Sequence, residues 1–97
     1  MGSYVKGHGF IMNPTPMAMQ KKLTEKFRKS EDGDVWVSFE MKPDVTVEGI
    51  TFDDFDGALP PRSVLGKVGR KVIDDAIVVD GIMVPLEAIE GEIGIYY

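Results

Sequence analysis

Residues 16–42 read PMAMQKKLTEKFRKSEDGDVWVSFEMK, and the change of period inside this stretch decides the fold class. In its first half Met19, Leu23 and Phe27 recur every fourth residue, the apolar stripe of a helix over Pro16–Ser30. Thr15 is the expected N-cap, and Pro16 suits the first helical position. Lys21, Lys22, Lys26, Arg28 and Lys29 lie off the stripe, and the later ones complement the helix dipole. Glu31-Asp32-Gly33-Asp34 ends the helix and turns the chain. From Asp34 to Lys42 the period falls to two. Val35, Val37, Phe39 and Met41 alternate with Trp36, Ser38 and Glu40, so the first set is expected to face the helix.

Upstream, Tyr4 to Met12 has strand character, interrupted by Gly7-His8-Gly9 as a bulge or bend. Asn13-Pro14-Thr15-Pro16 breaks it before the helix. Downstream, Pro43-Asp44 reads as a tight turn and Val45 to Phe52 as a returning strand, the pair forming a hairpin with a bulge at Gly49. Asp53 to Pro61 is an irregular loop. Ser63 to Ile73 fits a helix capped by Ser63, or a strand punctuated by Gly66 and Gly69; the strand is the expectation. Asp80-Gly81 between Ile77-Val78-Val79 and Ile82-Met83-Val84 marks a hairpin over Ala76–Val84. Pro85 to Ile89 suits one helical turn, and Glu92 to Tyr97 a last strand. The order is β-α-β-β followed by a β-rich C-terminal half. It defines one α+β domain over residues 1–97, an antiparallel or mixed sheet with one main helix packed on it.

Composition removes several chemistries. The 97 residues contain no cysteine, which excludes disulfides, thiol nucleophiles and cysteine-based metal sites in this chain. The hydrophobic fraction of 43% is enough for a core and argues against disorder. No apolar run approaches membrane-spanning length, and no basic-then-apolar N-terminal pattern suggests a secretory signal. A cytoplasmic location without a membrane partner is the expectation.

Charge is sorted along the chain. Residues 1–30 hold six bases and one acid, residues 31–61 one base and nine acids, and residues 62–97 four bases and six acids. Such sorting marks a binding surface, or two solvated faces that attract each other in the fold.

The acids give the first candidate surface: Asp53, Asp54 and Asp56 in the loop, with Asp74, Asp75 and Asp80 beside the hairpin. Their spacing lacks the pattern of a Ca²⁺ loop, and no metal or cofactor is expected. Trp36, facing away from Val35 and Val37, and the terminal Tyr96 and Tyr97 are candidate aromatic anchors. Together these residues suggest a non-enzymatic protein-binding domain. It would act as a small acidic inhibitor or regulator on a basic surface of a protein partner, with nucleic-acid mimicry as its sharpest form. The alternative is nucleic-acid or phosphate binding through Lys21, Lys22, Lys26, Arg28, Lys29, Lys67, Arg70 and Lys71, although Gly66–Lys71 lacks the spacing of a nucleotide-binding loop. A second alternative is a small enzyme using His8, the single histidine, with a carboxylate. Self-association through the aromatic residues is a further expectation, with a homo-oligomer as its product.

Overall fold

The helix forms where the fourfold stripe places it. In the computed structural model, which describes residues 9–53 and 55–97, α1 spans Pro16–Lys29. Met19 and Leu23 are fully buried and Phe27 is half-buried against the core. Pro16 opens the first turn, and the Thr15 carbonyl accepts from Met19 N at 2.8 Å. Thr15 holds the cap position in extended backbone, but its hydroxyl makes no capping bond. Lys26 also departs from expectation, because it is buried. Its ammonium stands 4.7 Å from the centre of the Tyr97 ring and 5.5 Å from that of Phe10, so its stem fills space between two aromatic residues.

Six strands complete the fold: β1 (Gly9–Met12), β2 (Trp36–Met41), β3 (Ser63–Lys67), β4 (Ala76–Val79), β5 (Ile82–Pro85) and β6 (Ile89–Tyr96). Four form one sheet in the order β1-β6-β2-β3, with every neighbouring pair antiparallel. Since β1 and β2 both run against β6, they run parallel to each other. That relation needs a crossover rather than a tight turn, and α1 supplies it. The last strand thus sits between the first two, in a split β-α-β arrangement.

The sheet has one covered face. Val37, Phe39 and Met41 of β2, Val64 of β3, and Ile93 and Ile95 of β6 are buried with Met19 and Leu23. The β4–β5 hairpin forms a second, two-stranded sheet that joins this core through Ile77, Val79 and Val84. It is tied to the end of β3 by Gly69 N to Val78 O at 2.8 Å and Asp80 N to Lys67 O at 2.9 Å. Among the described residues no helix is long and apolar enough to cross a membrane.

Several expectations need correction. Residues 45–52 form no strand, so the hairpin expected around Pro43-Asp44 does not exist. Both edges of β2 are taken, by β3 and β6. Val45, Val47 and Ile50 still lean on the core, but as turns, with Val45 N donating to Lys42 O and Ile50 N to Val47 O. Arg62 Nη2 holds this segment through Val45 O at 2.7 Å. Gly49, at φ +92°, belongs to a turn and not to a bulge. The strand in Ser63–Ile73 is present but ends at Lys67. The last strand begins at Ile89, directly after a 3-10 turn over Leu86–Ala88. The first strand is described from Gly9 onward, and its expected Tyr4–His8 portion lies outside the described residues.

Two of the reversals around β4 use left-handed backbone at both central positions. Asp80-Gly81 joins β4 to β5 at φ +50° and +83°, as hairpin turns of this length require. Asp74-Asp75 does the same between Ile73 and Ala76, at φ +51° and +59°, without a glycine. Asp75→Gly should therefore raise stability by about 0.5–1 kcal/mol, by relieving a side chain from left-handed backbone. Gly81→Ala should cost about 1–2 kcal/mol through backbone strain. No atom lies within 4 Å of a methyl built at Gly81, so that loss would not come from a clash. Urea unfolding of both variants measures the two effects.

Candidate functional site

The second face of the four-stranded sheet is the side away from α1. Pairing sets its rows: Gly9, Tyr96, Trp36 and Lys67 in one, Ile11, Gly94, Ser38 and Leu65 in the next, then Glu90, Glu40 and Ser63. The Tyr96 ring lies over Gly9 and Gly94; a methyl at position 94 would sit 2.6 Å from the Tyr96 hydroxyl. That hydroxyl and the Ser38 hydroxyl hydrogen-bond at 3.1 Å, which fixes the ring along the sheet.

The register between β2 and β6 shifts in the middle of this face. Ser38 pairs with Gly94, but Glu40 pairs with Glu90, so Gly91, Glu92 and Ile93 stand opposite Phe39. Gly91 accommodates the irregularity at φ +72°. A hollow of about 420 Å³ opens there, lined by Ile11, Leu59, Pro60 and Tyr96 on its apolar side and by Glu40, Glu90 and Glu92 on its acidic side. Glu40 and Glu90 are direct cross-strand partners, a like-charge pairing that costs stability. None of these three glutamates has an ion-pair partner among the described residues. Among the described residues no group of three or more histidines or carboxylates is arranged to hold a metal ion.

The aspartates singled out in the sequence do not gather into one patch. Asp53 and Asp80 flank a hollow with Gly49, Ile50 and Ile82. Both are engaged locally: Asp53 Oδ1 accepts from Phe55 N at 2.8 Å, and Asp80 Oδ1 from Lys67 N at 3.0 Å. Asp74 and Asp75 stand apart with Glu87, beside Pro14–Pro16 at the start of α1. Asp56 is exposed in a left-handed turn, and Asp54 lies outside the described residues. The aromatic anchors divide as well. Trp36 and Tyr96 are cross-strand neighbours on the open face, whereas Tyr97 packs toward the core beside Lys26. Trp36 is half-buried, with the Lys67 ammonium 5.7 Å from its ring and 3.4 Å from Asp34. The glutamates of the hollow escaped the sequence reading because they are scattered singly. Only the β2–β6 pairing, between residues far apart in the chain, brings them together.

The bases lie on the helix side. Gln20 clamps the 70–72 segment, donating to Arg70 O at 3.1 Å and accepting from Val72 N at 2.7 Å. This brings the Arg70 guanidinium to 4.6 Å from the Phe27 ring. Lys67 is not part of that group. Lys22, Lys26 and Lys29 converge on Glu25 at 3.1, 3.8 and 3.4 Å, so part of the helix charge is internally compensated. Exposed Lys21 and Arg28 line a shallow surface with Met17 and Thr24. His8, the candidate of the enzymatic reading, lies outside the described residues.

Comparison with protein families, curated proteins and solved structures gives no significant match to this chain.

Two outcomes follow from these charges. The Glu25 carboxyl titrates below its ordinary range, chiefly because Lys22 donates a hydrogen bond to it. Desolvation opposes this, and attraction from Lys22, a hydrogen bond from Lys29 and attraction from Lys26 add to it. The folded state therefore binds its proton less readily than the unfolded chain. The associated stability is present above the unfolded carboxylate range and is lost as pH falls through the folded value. Melting curves of wild type and Glu25→Gln should differ at neutral pH and converge in acid. Glu90→Gln removes the repulsion facing Glu40 and should stabilise by a few tenths of a kcal/mol, about 0.2–0.5. The gain should shrink at high salt, as paired urea titrations at two ionic strengths would record.

Proposed function

We propose that this chain is a non-enzymatic protein-interaction domain that binds a basic surface of a partner protein through its open sheet face. The observation carrying this reading is the uncompensated Glu40, Glu90 and Glu92 in a concave site, next to the Tyr96 and Trp36 rings. Concavity, an apolar floor and unbalanced charge are what a polar rim and aromatic anchor need at an interface. Such a domain would inhibit or regulate whatever process uses the partner's basic surface. The separation of the aspartates into distinct places favours a short basic segment over the long, regular charge row that nucleic-acid mimicry would call for.

A second reading keeps one specific support. The Gln20 clamp adds Arg70 and Lys71 to the side that carries Lys21 and Arg28, a surface suited to phosphates.

A synthetic lysine- and arginine-rich peptide tests the first reading by calorimetry. Wild type should bind it with salt-dependent affinity. The double variant Glu40→Lys/Glu92→Lys should lose about tenfold or more. Asp74→Lys/Asp75→Lys should stay within about twofold, as a change beside the start of α1 and outside the lining of the hollow. Absence of binding at low salt, or equal binding by the open-face variant, would sink the proposal. A gel shift with a nucleic-acid duplex, lost in Arg28→Glu/Lys71→Glu, would favour the second reading instead.

A further inference from the structure

We infer that the hollow at the β6 bulge is a receptor for an arginine side chain of the partner protein, an assignment that rests on the protein-binding reading of the open face. The acids alone would not carry it. The second observation is Ser63, which is only 4% exposed and lines the same hollow. Its backbone is satisfied, with N donating to Pro60 O and O accepting from Asp53 N. Its hydroxyl, however, has no hydrogen-bond partner among the described residues. Ser63 is the cross-strand partner of Glu40, which in turn faces Glu90. The unpartnered hydroxyl of a nearly buried residue and two opposed carboxylates therefore share one end of the hollow.

The missing donor has a definable shape. It must be cationic, because nothing in the described chain neutralises Glu40, Glu90 or Glu92. It is not a bare divalent ion, because the carboxylates are not gathered for one. It must donate in several directions across two strands, and it must bring an apolar stem to lie against Ile11, Leu59 and Pro60. A guanidinium meets these demands: five N–H donors in a rigid planar fork can bridge carboxylates on neighbouring strands and reach the hydroxyl. Its flat face can also stack on the Tyr96 ring, which Ser38 holds in place. A lysine ammonium offers one compact, strongly hydrated charge and fills less of this geometry.

The probes are the blocked pentapeptide Gly-Gly-Arg-Gly-Gly and its lysine and citrulline counterparts, followed by amide resonances of the labelled full chain at low ionic strength. The arginine peptide should shift Ser38, Glu40, Ser63 and residues 90–94 saturably. The lysine peptide should bind several-fold more weakly, and the uncharged citrulline peptide should leave these resonances in place. Glu90→Gln should weaken the arginine peptide about tenfold, the scale of a lost charge-assisted contact. Ser63→Ala should weaken it severalfold, with an unchanged or raised melting temperature, since it removes a hydroxyl that lacks a partner. Equal response to lysine or citrulline, no shift around the hollow, or unchanged affinity in Glu90→Gln would each overturn the arginine assignment. If the polybasic peptide still binds wild type and fails on Glu40→Lys/Glu92→Lys, the protein-binding reading survives that result. Loss of polybasic binding by wild type removes both.

Discussion

The placement of β6 between β1 and β2 is the constraint on which the other features depend. β1 and β2 run in the same direction and do not pair with each other; each pairs antiparallel with β6, so one strand serves both. Ile93 and Ile95 enter the core from that central strand, meeting Val37 on one side and the helix residues Met19 and Leu23 above. Without β6, β1 would have no partner and α1 would cover a sheet with its middle missing. The pairing joins residues near the two ends of the chain, such as Phe10 with Ile95. Contacts of that separation carry a large loop-closure cost and make for slow folding.

The same pairing separates the charges. With α1 and the Gln20-bound segment on one side of the sheet, Lys21, Arg28, Arg70 and Lys71 fall away from the open face. The opposite face receives Glu40 from β2 and Glu90 and Glu92 from β6. Part of the charge sorting visible along the sequence thus becomes a sorting across the sheet, while Lys67 stays on the open face and Asp74, Asp75 and Glu87 lie beside the start of α1. Glu25, the one acid of residues 1–30, is met by Lys22, Lys26 and Lys29 and tempers the basic side.

Local signals were readable and distant ones were not. Met19, Leu23 and Phe27 spelled out α1, and Asp80-Gly81 spelled out the β4–β5 turn, because both depend on neighbours within a few residues. The α+β class followed from those elements. Residues 45–52 have strand-like composition, but composition does not say whether an edge is vacant, and β3 and β6 had filled both edges of β2. The aspartates at 53, 54 and 56 stood out as a run, whereas turns disperse the described acids around the surface. Trp36 was legible as an outward residue by alternation. Glu40 was equally outward, but its significance lies in Glu90, some fifty positions away and invisible to any local pattern.

The site is also where the structure departs from its own rules of stability. Elsewhere, Arg62 is held on Val45 O and Lys67 is paired with Asp34. Around the bulge, three features coincide: a broken register, like charges directly opposed, and a nearly buried serine whose hydroxyl has no partner among the described residues. Of these three, the opposed charges cost free energy that a chain selected for stability alone could remove by one substitution, Glu90→Gln. Their coincidence at one concave place, rather than their scatter over the fold, is the pattern expected where binding supplies the missing compensation. A cationic ligand would cancel the repulsion and satisfy the hydroxyl in the same step, so the local cost in the free protein becomes part of the affinity for its partner.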